Sequence, residues 1–282
     1  MPIRVAPGRQ VLRGAASDGA GGAFVFWRGM DNAPNGLYVQ RIDAAGTPAF
    51  TQNGVLMATT ADSGYQEACV VSDGQGGAII AWQGGPGDAE NPLALSVQRV
   101  DSRGLPLWEG NGIVLATGAD VTASAFPPRV APDGAGGAVV AWQDGHQRLH
   151  AQRVDVQGRC LWQNVVLSAS EVANTSDLLA DGQGGLLIAW LESPRSGDSR
   201  DHWALRAQKL ELAGVGQWST RPLALSASTE NMHDVGIVAD DAGGATVVWR
   251  TGISKQGWTH PGTEARCGRE CQVACGGYYD LC

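Results

Sequence analysis

The chain has 282 residues, 43% of them hydrophobic, and carries a formal net charge of −8. That length can bury a core for one or two domains, while the acidic balance argues against nucleic-acid binding, which needs a basic stripe to meet phosphates. No apolar run nears the ~20 residues that span a bilayer.

The opening residues, M-P-I-R-V-A-P-G, show no charged-then-apolar export pattern, which leaves a cytosolic setting or a leader lying outside this sequence. A glycine-rich turn, Asp18-Gly-Ala-Gly-Gly22, follows and returns as Asp73–Gly77, Asp133–Gly137 and Asp181–Gly185, with an altered fifth copy at Asp240–Gly244. Each turn leads at the same offset of 9 residues to a tryptophan: Trp27, Trp82, Trp142, Trp190 and Trp249. A second motif comes next in four copies, L-Y-V-Q-R-I-D (37–43), L-S-V-Q-R-V-D (95–101), L-H-A-Q-R-V-D (149–155) and L-R-A-Q-K-L-E (205–211). Ten residues past each glutamine stands Phe50, Trp108, Trp162 or Trp218, and then a short apolar run.

This is an internal repeat, and each copy offers four short strands. Strand one enters the Asp-Gly turn, whose glycines supply the positive φ of a tight hairpin. Strand two, such as Ala138–Trp142, is apolar on both parities and must be covered on both faces. Four antiparallel strands with both faces covered describe a β-propeller blade, the tryptophan anchoring neighbouring blades. The expected fold is therefore all-β: a propeller of five four-stranded blades over residues 1–256, with a Cys-rich tail at 257–282. Pro2–Ala6 resembles Pro222–Ser226, the fourth strand of repeat four, so the N-terminal strand is expected to close the ring.

Arg41 and Asp43, with Arg99/Asp101 and Arg153/Asp155, sit two apart on one strand and read as a repeated ion-pair or hydrogen-bond brace. The turn aspartates supply one carboxylate per copy, whereas calcium takes six to eight oxygens, so no metal is expected there. His146 and His150 run from a loop into a strand and lack the helical spacing of a zinc pair. Cys69 and Cys160 read as buried or half-buried thiols, while Cys267, Cys271, Cys275 and Cys282 crowd the tail, where disulfides or a disordered end are expected before a zinc site.

The uniform intervals hold the loops of one side of each blade. The Trp-to-Gln interval, in contrast, runs 13, 16, 10 and 18 residues, so the opposite side varies. Variation gathered on one side of a repeat protein marks a binding face. Its longest insertion, Leu191–Trp203, offers Glu192, Asp201, His202 and Trp203; an indole there stacks on sugar faces or apolar groups. The innermost strands add Glu67, Asp177 and Asp234, with Arg129 from repeat three. Three carboxylates around a five-bladed channel resemble furanosidase-type glycoside hydrolases, in which they would serve as acid, base or nucleophile. No nucleophile elbow, Walker loop or metalloprotease motif occurs in the chain.

The combination D-G-x-G-G-A-x-V-A-W … Q-R-V-D-x-x-G-x-x-L-W, over about residues 10 to 250, resembles uncharacterised secreted or cell-surface β-propeller repeat proteins of bacteria. The resemblance implies the propeller fold and an extracellular or envelope setting, and carries no activity. The expectation for function is a binding module without catalytic residues or cofactor, recognising a surface glycan or a protein partner. The alternatives are a protein–protein scaffold and a glycoside hydrolase.

Overall fold

The computed structural model describes residues 8–30, 34–59, 67–84, 93–121, 127–162, 165–168, 177–181, 185–192, 203–212, 222–228, 231–240 and 244–252. The N-terminal strand expected at 2–6 and the cysteine tail lie outside the described residues. The chain divides into two compact units, Met1–Val166 and Leu167–Cys282. The described elements are all-β apart from a single 3₁₀ turn at Gly118–Asp120.

In the first unit, the first sheet contains β1 (Arg9–Ser17), β2 (Ala23–Met30), β3 (Gly36–Ile42) and β4 (Val55–Thr59) in that spatial order. The second sheet contains β5 (Ala68–Ser72), β6 (Ala78–Gly84), β7 (Ala94–Val100) and β8 (Ile113–Thr117), and the third β9 (Arg129–Pro132), β10 (Ala138–Gln143), β11 (Leu149–Val154) and β12 (Val165–Ser168), each again in chain order, with the unit boundary falling inside β12. In the second unit, β13 (Asp177–Ala180), β14 (Gly185–Glu192), β15 (Trp203–Glu211) and β16 (Leu223–Ser228) form a fourth such sheet. β17 (Asn231–Ala239) and β18 (Ala245–Gly252) pair as a two-stranded fifth. Neighbouring strands pair antiparallel among the described residues. Five sheets of this kind resemble propeller blades, as the repeat predicted.

Alternation along strand two explains how the sheets stack. Phe24 and Phe26 share one core with Ala78, Ile80 and Trp82 of the next sheet. The opposite parity of that strand, Ile79 and Ala81, shares another with Ala138, Val140 and Trp142. Within the second unit, Leu187, Ala189 and Leu191 meet Ala245, Val247 and Trp249 in the same way. Trp82, Trp142 and Trp249 are thus inter-sheet anchors, and Trp27 and Trp190 are buried as well, Trp190 wholly so.

A second lock uses the aromatic ten residues past each glutamine. Gln40 accepts the Phe50 N–H at 2.8 Å and donates to the Thr51 carbonyl at 3.0 Å, while Gln98 accepts the Trp108 N–H at 3.0 Å and donates to the carbonyl of Trp108 itself at 3.2 Å. The spacing of 10 is thereby held by one side chain. Phe50 and Trp108 then each meet the glycine of the following repeat: a Cβ on Gly104 would lie 3.0 Å from the Phe50 ring, and one on Gly158 3.0 Å from Trp108. The indole N–H of Trp108 also donates to the Val156 carbonyl at 3.1 Å.

Candidate functional site

Two ends of the sheets can be compared, and they are built differently. At the uniform end, Asp18 closes its turn through its main-chain N–H to the Gly22 carbonyl, 3.1 Å. Its Oδ1 accepts the N–H groups of Ala20 and Gly22 at 2.8 and 2.7 Å. Asp73 and Asp133 repeat that geometry. The glycines have separate reasons. Gly19 and Gly21 take φ of +74° and +86°, while a Cβ on Gly22 would stand 2.2 Å from the Ile42 carbonyl oxygen.

The brace expected between Arg41 and Asp43 is instead made with the turn of the same sheet. Arg41 donates to Asp18 Oδ2, Arg99 to Asp73, Arg153 to Asp133, and Lys209 reaches Asp181 at 2.7 Å. Asp43 lies past the end of its strand and closes its own turn, accepting Ala45 and Thr47 N–H groups at 2.9 and 2.8 Å. Asp101 and Asp155 do likewise. The Ala20 N–H holds the Asp18 carboxyl below its ordinary value against the opposing effect of burial, with Arg41 and the Gly22 N–H adding to it. For Asp155, burial works upward and is outweighed by the Arg159 N–H and guanidinium and the Gln157 N–H.

At the variable end, the shortest connection is the best described. Asp144 is fully buried; its Oδ1 accepts the N–H groups of His146 and Arg148, and its Oδ2 faces Arg148 Nε at 2.7 Å and His150 Nε2 at 2.8 Å. His150 stacks on Trp142 with centroids 5.5 Å apart. Burial alone would raise the Asp144 carboxyl, but the Arg148 N–H, His150, the Arg148 guanidinium and the His146 N–H together leave it lowered. In the second unit, Glu192 stands two residues past Trp190 and accepts from Arg206 Nε at 2.7 Å, Ser168 Oγ at 3.0 Å and Trp190 Nε1 at 3.3 Å. Sequence reasoning missed both pairs. The signal was an acid two residues past the tryptophan, matched by His150 or Arg206 in the variable second place of the L-x-A-Q motif.

The carboxylates proposed from sequence divide between the units. Glu67 immediately precedes β5 and faces Arg13 at 3.6 Å, both side chains being partly exposed. Asp177 opens β13; its two oxygens accept the N–H groups of Leu178 and Ile237 at 3.0 and 3.1 Å. Asp234 lies on β17, and Arg129 opens β9. Trp203, expected at the end of an insertion, has its main chain in β15 opposite Ser228; Asp201 and His202 lie outside the described residues. Cys69 is half-buried, but Cys160, expected to be buried or half-buried, is exposed on the connection to the outermost strand. Desolvation of its sulfur, with Asp155 second, pushes the thiol up.

Among the described residues no group of three or more His, Cys, Asp or Glu side chains is placed to hold a metal ion. No helix among them is long and apolar enough to cross a membrane.

No family model matches the chain, and no curated protein matches it. Among solved structures, it is similar to the GH43 endo-arabinanase from Bacillus licheniformis at 11% identity, covering 90% of this chain and 92% of that one, with a TM-score of 0.39. The endo-arabinase from Bacteroides thetaiotaomicron matches at 13% identity, 83% and 86% coverage and a TM-score of 0.39. The fucose-specific lectin from Aleuria aurantia matches at 12% identity, 89% and 75% coverage and a TM-score of 0.43. Likenesses of this size fix no correspondence between residues.

Proposed function

We propose that this protein is a non-catalytic binding module of the cell surface or extracellular space, recognising carbohydrate through the variable end of its sheets. The observation that carries the reading is the contrast between the ends. At the uniform end the repeated aspartates are engaged by turn N–H groups and by Arg41, Arg99, Arg153 or Lys209. The variable end places Tyr38, Ser96, His150 and Arg206 in one repeat position opposite the tryptophans, the first three buried, so the support beneath that end changes from sheet to sheet. Repetition of the first kind maintains a scaffold, whereas variation of the second kind makes a surface selective. Trp203, His202, Asp201, Glu192, Glu67, Asp177 and Asp234 are the proposed contact residues. The extracellular setting rests on the repeat's resemblance to secreted proteins. On the likeness of Pro2–Ala6 to Pro222–Ser226 we also propose five blades closed by the N-terminal strand. Removing residues 2–6 then lowers the melting temperature; an unchanged melt contradicts that closure.

A second reading, glycoside hydrolysis, is favoured by the common place of Glu67, Asp177 and Asp234 at or in the first strand of their repeats. Binding to a panel of immobilised glycans, with the bound hits assayed for released sugar, separates the readings. Binding without release supports the module. Release that disappears in Glu67→Gln, Asp177→Asn and Asp234→Asn assigns the hydrolase. A chain that binds no glycan is a protein-recruiting scaffold.

A further inference from the structure

One guanidinium in the first unit is incompletely engaged. Arg13 occupies the β-bulge between Leu12 and Gly14, where the register of β1 against β2 shifts. A bulge re-aims the side chain it carries. A Cβ on Gly14 would meet the Phe26 ring at 2.7 Å, so the bulge depends on glycine beside the arginine. The Nε of Arg13 is buried and has no hydrogen-bond partner among the described residues. Its carboxylate neighbour, Glu67, stands at 3.6 Å, beyond hydrogen-bond distance, and both side chains keep an opening to solvent at 24% and 21% exposure.

Arg28 adds a second positive charge. It lies opposite Val11 on β2 and, by alternation with Phe24 and Phe26, on the face of the first sheet that turns toward the second. Its side chain is buried in that face. Arg13 also reaches toward the second sheet, since Glu67 leads into β5 and its carbonyl accepts the Gln83 N–H at 2.8 Å. Among the described residues, Arg13 and Glu67 therefore form a loose pair between the first strands of these two sheets, and Arg28 lies on the face of the first sheet that turns toward the same neighbour.

We propose that Arg13 binds a carboxylate of the ligand, so that the module selects uronate-bearing over neutral saccharides. The inference rests on the carbohydrate reading above. A planar carboxylate matches the guanidinium fork of a side chain that keeps an opening to solvent and is held by Glu67 only at 3.6 Å. Glu67 competes for the same guanidinium and keeps the empty site from holding an unpaired charge.

The test follows the Nε–Hε NMR resonance of Arg13, assigned by its loss in Arg13→Lys, during titration with galacturonate or galactose. A saturable shift with galacturonate alone is expected. Glu67→Gln should tighten galacturonate binding several-fold, and Arg13→Gln should weaken it about tenfold or more, the loss of one charge-assisted hydrogen bond. An unmoved resonance, equal shifts with both sugars, or weaker binding in Glu67→Gln overturns the proposal. Glycan-panel hits without the Arg13 shift refute this site and leave the carbohydrate reading standing. A chain that neither binds a panel glycan nor shifts the Arg13 resonance loses both the site and that reading.

Discussion

Replacing Asp73 by alanine removes the most enclosed of the repeated braces. The Asp73 side chain is 1% exposed and that of Arg99 4%, and Asp73 Oδ2 accepts both Arg99 Nε and Nη2, at 2.9 and 2.8 Å. Alanine strands that guanidinium in a site that water hardly reaches, and breaking a buried pair by removing one partner costs about 3–5 kcal/mol. It also frees the N–H groups of Gln75 and Gly77 from Oδ1, adding roughly 1 kcal/mol each where they cannot rehydrate. Asp73→Asn retains an acceptor for those amides, so it should cost less than alanine while still losing the charge pair. Arg159→Ala provides the contrast: its partner is Asp155, but the Arg159 side chain is 73% exposed, and an exposed pair is worth about 0–1 kcal/mol. Urea unfolding followed by tryptophan fluorescence measures all three. A loss below about 1 kcal/mol for Asp73→Ala at unchanged m-value, or equal losses for Asp73→Ala and Arg159→Ala, would refute the brace.

Because the Asp144 carboxyl is lowered in the folded chain, its stabilisation is present above the unfolded value of about 3.9 and is lost as pH falls through the folded value. Asp144→Asn should therefore be less stable than wild type at neutral pH, with the gap narrowing below about pH 4 in urea titrations; a constant gap contradicts this sign. Gly46→Ala and Gly104→Ala both place alanine at positive φ, but only Gly104 has a neighbour in the way, Val55 Cγ2 at 2.7 Å from the added Cβ. Thermal melts should show the larger loss at Gly104, by about 1–3 kcal/mol, and equal losses would rule out the Phe50 contact as a lock. Cys160 should alkylate slowly for an exposed thiol near neutral pH, and faster in Asp155→Asn, as read by peptide mass. A rate unaffected by Asp155→Asn would remove the electrostatic cause.

The repeat made most of the fold legible. A fixed offset of 9 residues from turn to tryptophan, with strands apolar on both parities, leaves few arrangements other than stacked four-stranded sheets. The partner of Arg41 was harder to read, because spacing along one strand favours Asp43 while the actual partner, Asp18, comes from the adjoining hairpin. Yet the motifs travel together, and Lys209 facing Asp181 shows that the charge is kept when the residue type changes. The Asp144–His150 and Glu192–Arg206 pairs were obscured for another reason. They occur in only two repeats, so they register as departures from a pattern. Arg13 was illegible altogether, since a bulge is a local failure of register that no regular alternation announces.

In the proposed function the variable end binds, while the uniform end only holds the sheets together. The most direct measurement is the affinity of a glycan-panel hit for two variants, Trp203→Ala and a chain with Ala20, Gln75 and Ala135 in the uniform turns all changed to Glu. Loss of binding in Trp203→Ala, with full affinity in the triple variant, is the expected result. Full affinity in Trp203→Ala together with loss in the triple variant would place recognition at the wrong end and contradict the account.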